Sequence, residues 1–220
     1  MRGIRLCEQC GAAFSPRREH ARFCSARCRV AWNRENVSGP GAEASALQWS
    51  ITAMNDTVQR LPRVRAWDRP RAFAVIGEAV WWVTIVDATL VRYHPEAYDR
   101  VLGGQPSAER GLIEETLAGL RFVRNRMGQY LDHIDFIRPP AGPPAPGDGP
   151  VTAWTWNPMP APAGETLSPD GLAWEMTRYR AYQARLAGCS IGEIFGRSAD
   201  FLKLAARATS VTGGTIATAG

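Results

Sequence analysis

Apolar positions recur at helical spacing along most of this chain. Leu47, Ile51, Met54, Val58 and Leu61 follow one another at intervals of 4, 3, 4 and 3, one face of a helix over residues 44–61. Residues 69–93 are more apolar still, with Phe73, Ile76, Val80, Trp81, Trp82, Val83, Ile85, Val86 and Leu90. A helix that is apolar on nearly all sides belongs at the centre of a bundle. Asp68 is placed to cap it, and Pro70 suits a first turn in which its N–H would have no partner anyway. Pro95 ends it and opens a short helix to about residue 102. Ser107 is placed to cap a long helix to about residue 134, with Leu112, Ile113, Leu117, Leu120, Met127 and Leu131 as its apolar series.

Two charges interrupt these seams. Arg124 falls in the series Ile113, Leu117, Leu120, Arg124, Met127, Leu131, Ile134, and Asp87 falls in Ile76, Val80, Val83, Asp87, Leu90. A guanidinium among apolar neighbours must snorkel or find an anion. The expectation is that Arg124 and Asp87 pair across the helix interface.

The rest of the chain changes texture. Residues 138–150 are half proline, a composition that excludes helix and sheet and favours an extended spacer. Residues 151–157 alternate like a short strand with Trp154 and Trp156 on one face, expected to dock that segment on the bundle. Ser168-Pro169-Asp170 opens a helix to Leu186 that Gly188 stops. Ser190 and Glu193 form a capping box for a last helix to about Ala208. The predicted organisation is a module over 1–36, a Gly/Pro linker over 37–43, a helical bundle over 44–137, the spacer 138–150, a Trp-containing segment with two helices over 151–208, and a frayed tail over 209–220. The fold class is mainly α.

The first module follows another rule. Cys7 and Cys10 form a C-x2-C pair, and Cys24 and Cys28 a C-x3-C pair thirteen residues later. Zinc takes four soft donors at tetrahedral corners, and each close pair supplies two from one turn. Gly11 suits a knuckle whose N–H groups turn back on the sulfurs. Cys24 and Cys28 lie one helical turn apart, and Ser25 is placed to cap that helix. Knuckle, loop and ligand-bearing helix in this order make a treble clef, with Zn²⁺ on Cys7, Cys10, Cys24 and Cys28. Cys189 stands apart.

Charge is concentrated in the same place. Residues 1–36 hold eight arginines against three glutamates, the whole formal charge of +5, while the remainder is balanced. Four thiolates and a dication would bring the module nearer +3. Arg17, Arg18 and Arg22 in the loop and Arg27 and Arg29 on the helix are the candidate phosphate contacts. The longest apolar run, Ala79–Val86, is far short of the roughly 18 residues of a membrane span. Residues 1–6 do not look like a signal peptide. No membrane contact is expected, and the location expected is cytoplasmic.

The stretch C-x2-C-G-x2-F…R-F-C-S-x2-C-R resembles the small FCS/MYM-like treble-clef fingers common in bacterial proteins, which implies a zinc fold and contact with nucleic acid or a protein partner. More loosely, Arg124-Asn125-Arg126 with His133 resembles the R-x4–6-H signature of HEPN bundles. That implies a homodimer and metal-independent RNA cleavage through Arg126 and His133, with Arg124 and Asn125 beside them. Started at Arg124-Asn125, the usual R-N-x3-H form would place histidine where Gln129 stands. The reading preferred from sequence is a non-enzymatic zinc finger that binds nucleic acid or a protein, with a helical association domain. The alternative is a HEPN-like RNase with the finger as RNA-docking module.

Overall fold

The computed structural model describes residues 4–16, 21–36, 40–65, 68–129, 136–139, 154–162 and 168–212. The chain is mainly α and divides into two compact units, Met1–Gln48 and Trp49–Gly220.

In the first unit β1 (Arg5–Leu6) pairs antiparallel with β2 (Ala13–Phe14), Arg5 opposite Phe14 and Leu6 opposite Ala13. Helix α1 (Ala26–Asn36) follows. Helix α2 (Pro40–Arg60) starts four residues earlier than the apolar spacing placed it, and the division between units falls within it. Of the expected linker, residues 37–39 lie outside the described residues and residues 40–43 are helical. Proline is tolerated at a helix start because its missing N–H is one that the first turn leaves unpaired, and Ala42, Glu43 and Ala44 are good helix formers.

The second unit is built around α3 (Arg69–Tyr93), whose Ile76, Val80, Val83, Val86 and Leu90 are buried. The Asp68 carboxylate accepts the Arg71 N–H at 3.2 Å, the expected cap. Helices α4 (Pro95–Gly103), α5 (Ser107–Gln129) and α7 (Ile191–Thr212) pack on α3, and α6 (Pro169–Arg185) packs along α5. Ser107 is the first helical residue of α5 instead of its cap, and the Pro106 carbonyl accepts the Arg110 N–H at 2.9 Å. Residues 130–135 of the expected long helix lie outside the described residues. Helix α7 runs four residues past the expected end, into the tail expected to fray; residues 213–220 lie outside the described residues.

By length and composition α3 is apolar enough to cross a bilayer, but half of that stretch is buried within the unit and it carries Glu78 and Asp87.

The tryptophan segment docks as expected. Trp154 and Trp156 are fully buried, and β4 (Thr155–Trp156) pairs antiparallel with β3 (Ile137–Arg138). The other edge of β4 is stitched to the turn between α6 and α7: Trp156 N–H to the Cys189 carbonyl at 3.1 Å, Gly188 N–H to the Trp156 carbonyl at 2.8 Å, and Ile191 N–H to the Trp154 carbonyl at 3.0 Å. Gly188 holds φ 78° there, a conformation that a β-carbon would strain.

Helices α5 and α6 approach closely at Gly119. A β-carbon there would lie 3.1 Å from the Tyr182 Cα and 2.7 Å from the Leu186 Cδ1. Glycine is a poor helix former, so its value here is space. Gly119→Ala is expected to lower stability by about 1–3 kcal/mol through overpacking, measured by urea unfolding.

The expected pairing of Arg124 with Asp87 does not occur. Asp87 is completely buried, and its partner is Arg121, whose Nε donates at 2.7 Å and whose Nη2 also reaches Oδ2; the Tyr98 hydroxyl donates to Oδ1 at 3.0 Å. Arg124 instead lies over the Trp81 ring, 5.0 Å from its centroid. Helix α5 is buried on two sides, against α3 and α6, so its orientation differs from that set by a single seam. Arg121 can then reach Asp87 from a half-exposed position. Burial raises the Asp87 carboxyl above its ordinary range, while Arg121 and Tyr98 pull against that rise. Asp87→Ala is expected to cost about 3–5 kcal/mol, because it strands a partly buried guanidinium and a buried hydroxyl. In a double-mutant cycle with Arg121→Ala the two losses should fall well short of adding, whereas Asp87→Ala with Arg124→Ala should be additive.

Candidate metal centre

Hydrophobic burial is slight among the described residues around the cysteines. Among the described residues 4–32, only Cys7 and Pro16 are buried. What converges instead is sulfur: the Sγ atoms of Cys7, Cys10, Cys24 and Cys28 all lie within 4.8 Å of one another. Cys10 to Cys24 is 3.7 Å and Cys24 to Cys28 is 3.5 Å. A tetrahedral ion with metal–sulfur bonds of about 2.3 Å sets its sulfurs roughly 3.8 Å apart, and a disulfide needs about 2.05 Å. The four cysteines therefore lie close enough to hold a metal ion, and they are not bonded to one another.

Local backbone chemistry produces this convergence. The first pair sits on the turn between β1 and β2, closed by Gly11 N–H to the Cys7 carbonyl at 2.8 Å and Cys7 N–H to the Ala12 carbonyl at 2.9 Å. Gly11 takes φ 69°, which turns the chain back into β2. The second pair opens α1, where the Ser25 hydroxyl accepts the Cys28 N–H at 3.1 Å as the expected cap. The Cys24 N–H points at the Cys7 Sγ, 3.4 Å away, and so links the two pairs.

The sulfurs differ electrostatically. Desolvation pushes the Cys7 thiol up, but N–H groups of Cys24, Cys10 and Gln9 outweigh it and lower the thiol to about 6. Cys24 is raised to about 12, chiefly by its contacts with the Cys28, Cys7 and Cys10 sulfurs. Four thiolates at these distances repel one another strongly, and a bound cation reverses that balance by favouring every deprotonated form.

A second clasp lies beside the sulfurs. Arg22 donates from Nε to the Glu8 carboxylate at 2.7 Å and from Nη2 at 2.5 Å, and the Glu8 N–H donates to the Arg22 carbonyl at 3.1 Å. The Arg22 hydrogen bonds hold the Glu8 carboxyl below the usual carboxylate range. The same guanidinium lies over Trp32, 4.6 Å from the ring centroid, and near Phe23 at 5.5 Å. Arg22 therefore ties the knuckle to α1. The sequence held the parts of this clasp, with Glu8 inside the C-x2-C pair, but nothing in their spacing brought them together. Arg27 and Arg29 are exposed on α1; Arg17, Arg18 and His20 lie outside the described residues.

Three residues of the alternative catalytic cluster have separate partners. Arg124 meets Trp81, the Asn125 amide donates to Glu175 at 3.1 Å, and Arg126 is buried with its guanidinium near Phe122. His133 lies outside the described residues. No known protein family, curated protein or solved structure matches the chain.

Proposed function

We propose that residues 4–36 form a zinc-dependent treble-clef module that binds nucleic acid through phosphate contacts, with the helical unit as the folded body of the chain. The observation that carries this reading is the convergence of four cysteine sulfurs in a stretch, residues 4–32, whose described side chains bury almost nothing apolar. Small units of this kind gain their folding free energy from the ion itself. Zinc suits the donor set, since four thiolates at tetrahedral distances favour it and it needs no redox partner. The excess of arginine in residues 1–36 supports the phosphate role. Within that excess, Arg27 and Arg29 are the contacts on α1, and Arg22 is assigned to holding the module together.

Elemental analysis is expected to find one zinc per chain, and Cys24→Ser should lose it; one iron, or full zinc occupancy in the variant, would overturn the assignment. A chelator should unfold residues 4–36, seen as new protease cleavage there, and leave the signal of helices α3 to α7 in place.

Retardation of labelled duplex DNA or RNA should weaken as salt rises. Each of Arg27→Ala and Arg29→Ala should lower the slope of log affinity against log salt by about 0.9. Arg22→Ala should instead weaken zinc retention. Unchanged retardation in the Arg27/Arg29 double variant would shift attention to Ile4 and Leu6, apolar side chains 78% and 70% exposed, of the kind a protein partner covers.

A further inference from the structure

We propose that the helical unit carries a separate platform for single-stranded nucleic acid, built from Trp81 and Arg124 on one side of α5 and Trp174 and Arg178 on the other. This does not rest on the zinc module, because every residue belongs to the second unit.

The alignment of three helices brings these side chains to one level. Helix α3 runs antiparallel to α5, since Gly77 faces Met127 while Asp87 meets Arg121. Helix α6 runs antiparallel to α5 as well, with Gly119 against Tyr182 and Asn125 bonded to Glu175. Trp81 and Trp174 therefore flank the same C-terminal turns of α5. Neighbouring helix axes lie about 8–10 Å apart, so the axes of α3 and α6 are at most roughly 16–20 Å apart across α5. A short run of nucleotides spans that distance.

The chemistry at each flank is the same. Trp81 is 50% exposed and Trp174 68%, among the largest apolar side chains left in water. A guanidinium lies near each ring: Arg124 at 5.0 Å from the Trp81 centroid and Arg178 at 5.6 Å from that of Trp174. Arg124 has no carboxylate partner among the described residues. Arg178 has a loose one, Glu175 at 3.5 Å, and that carboxylate also takes the Asn125 amide. Indole faces accept any base by stacking, and a cation beside each ring meets the phosphate that accompanies the base. A duplex keeps its bases stacked inside and cannot use the rings. A membrane surface would need a continuous apolar strip, whereas Arg121, Arg124 and Asn125, all part-exposed, lie on these turns of α5.

The test uses the full chain, a labelled 15-mer of oligo(dT) and a labelled duplex, with affinity measured by fluorescence anisotropy at two salt concentrations. Trp174→Ala and Trp81→Ala should each weaken oligo(dT) binding roughly tenfold, within the range that one stacked base commands, and leave duplex affinity unchanged. Trp174→Phe should retain most of the binding, and Arg124→Ala should lower the single-strand salt slope by about 0.7. Trp174→Ala should melt at the wild-type temperature, since its ring is two-thirds exposed, and it decides the matter if Trp81→Ala fails to fold. No oligo(dT) binding, an unchanged affinity in Trp174→Ala, or equal losses on duplex and single strand would overturn the proposal. So would tryptophan-dependent binding to anionic phospholipid vesicles in place of oligo(dT). Arg27→Ala with Arg29→Ala reports on the zinc module alone, so either reading can fail without the other.

Discussion

Four sulfurs held within 4.8 Å of one another set the terms for the whole first unit. As thiolates they repel one another, and among the described residues nearby few side chains are buried deeply enough to compensate. The β1–β2 turn, the Ser25 cap and the clasp of Arg22 on Glu8 and Trp32 position the cysteines, yet none is strong on its own. A hydrogen bond contributes about 1 kcal/mol net, and an exposed ion pair less. An ion that takes all four thiolates adds roughly ten times as much, and local geometry then follows from it.

The helical unit is held by different physics. Its centre is α3, an apolar helix half buried by its neighbours, with one carboxylate sealed inside by a guanidinium and a phenol. Such a group adds little net stability while its partners remain, and its loss is costly. It also favours one arrangement of α3, α4 and α5, since Asp87, Tyr98 and Arg121 come from one helix each. Gly119 and Gly188 act on a smaller scale, one by letting α6 approach and the other by turning the chain between α6 and α7.

Features encoded by residues near one another in sequence were legible. The convergence of the four cysteines, the Ser25 and Asp68 caps, the bounds of α3 and the burial of Trp154 and Trp156 all followed from short-range patterns. What failed was rotation. The spacing that defined an Ile113–Ile134 seam does not say how a helix packed on two sides is turned, and Arg121 was overlooked because a long side chain reaches past its own register. The β3–β4 pairing spans a proline-rich stretch and uses two residues from each side, too few for periodicity to register. Trp81 read as core because the helix around it is apolar; a ring half in water is visible only once the neighbours are in place.

Asp87 and the cysteines respond to acid in opposite directions. A carboxyl whose folded pKa is raised binds its proton more tightly folded than unfolded, so its contribution to stability is present below the unfolded pKa and is lost as pH climbs through the folded value. Thiolate ligands compete with protons for the metal that we propose, so the first unit weakens as pH falls. Mild acid would then release the module while favouring the Asp87 site, so the first unit would unfold in acid where the second persists, not in one cooperative step.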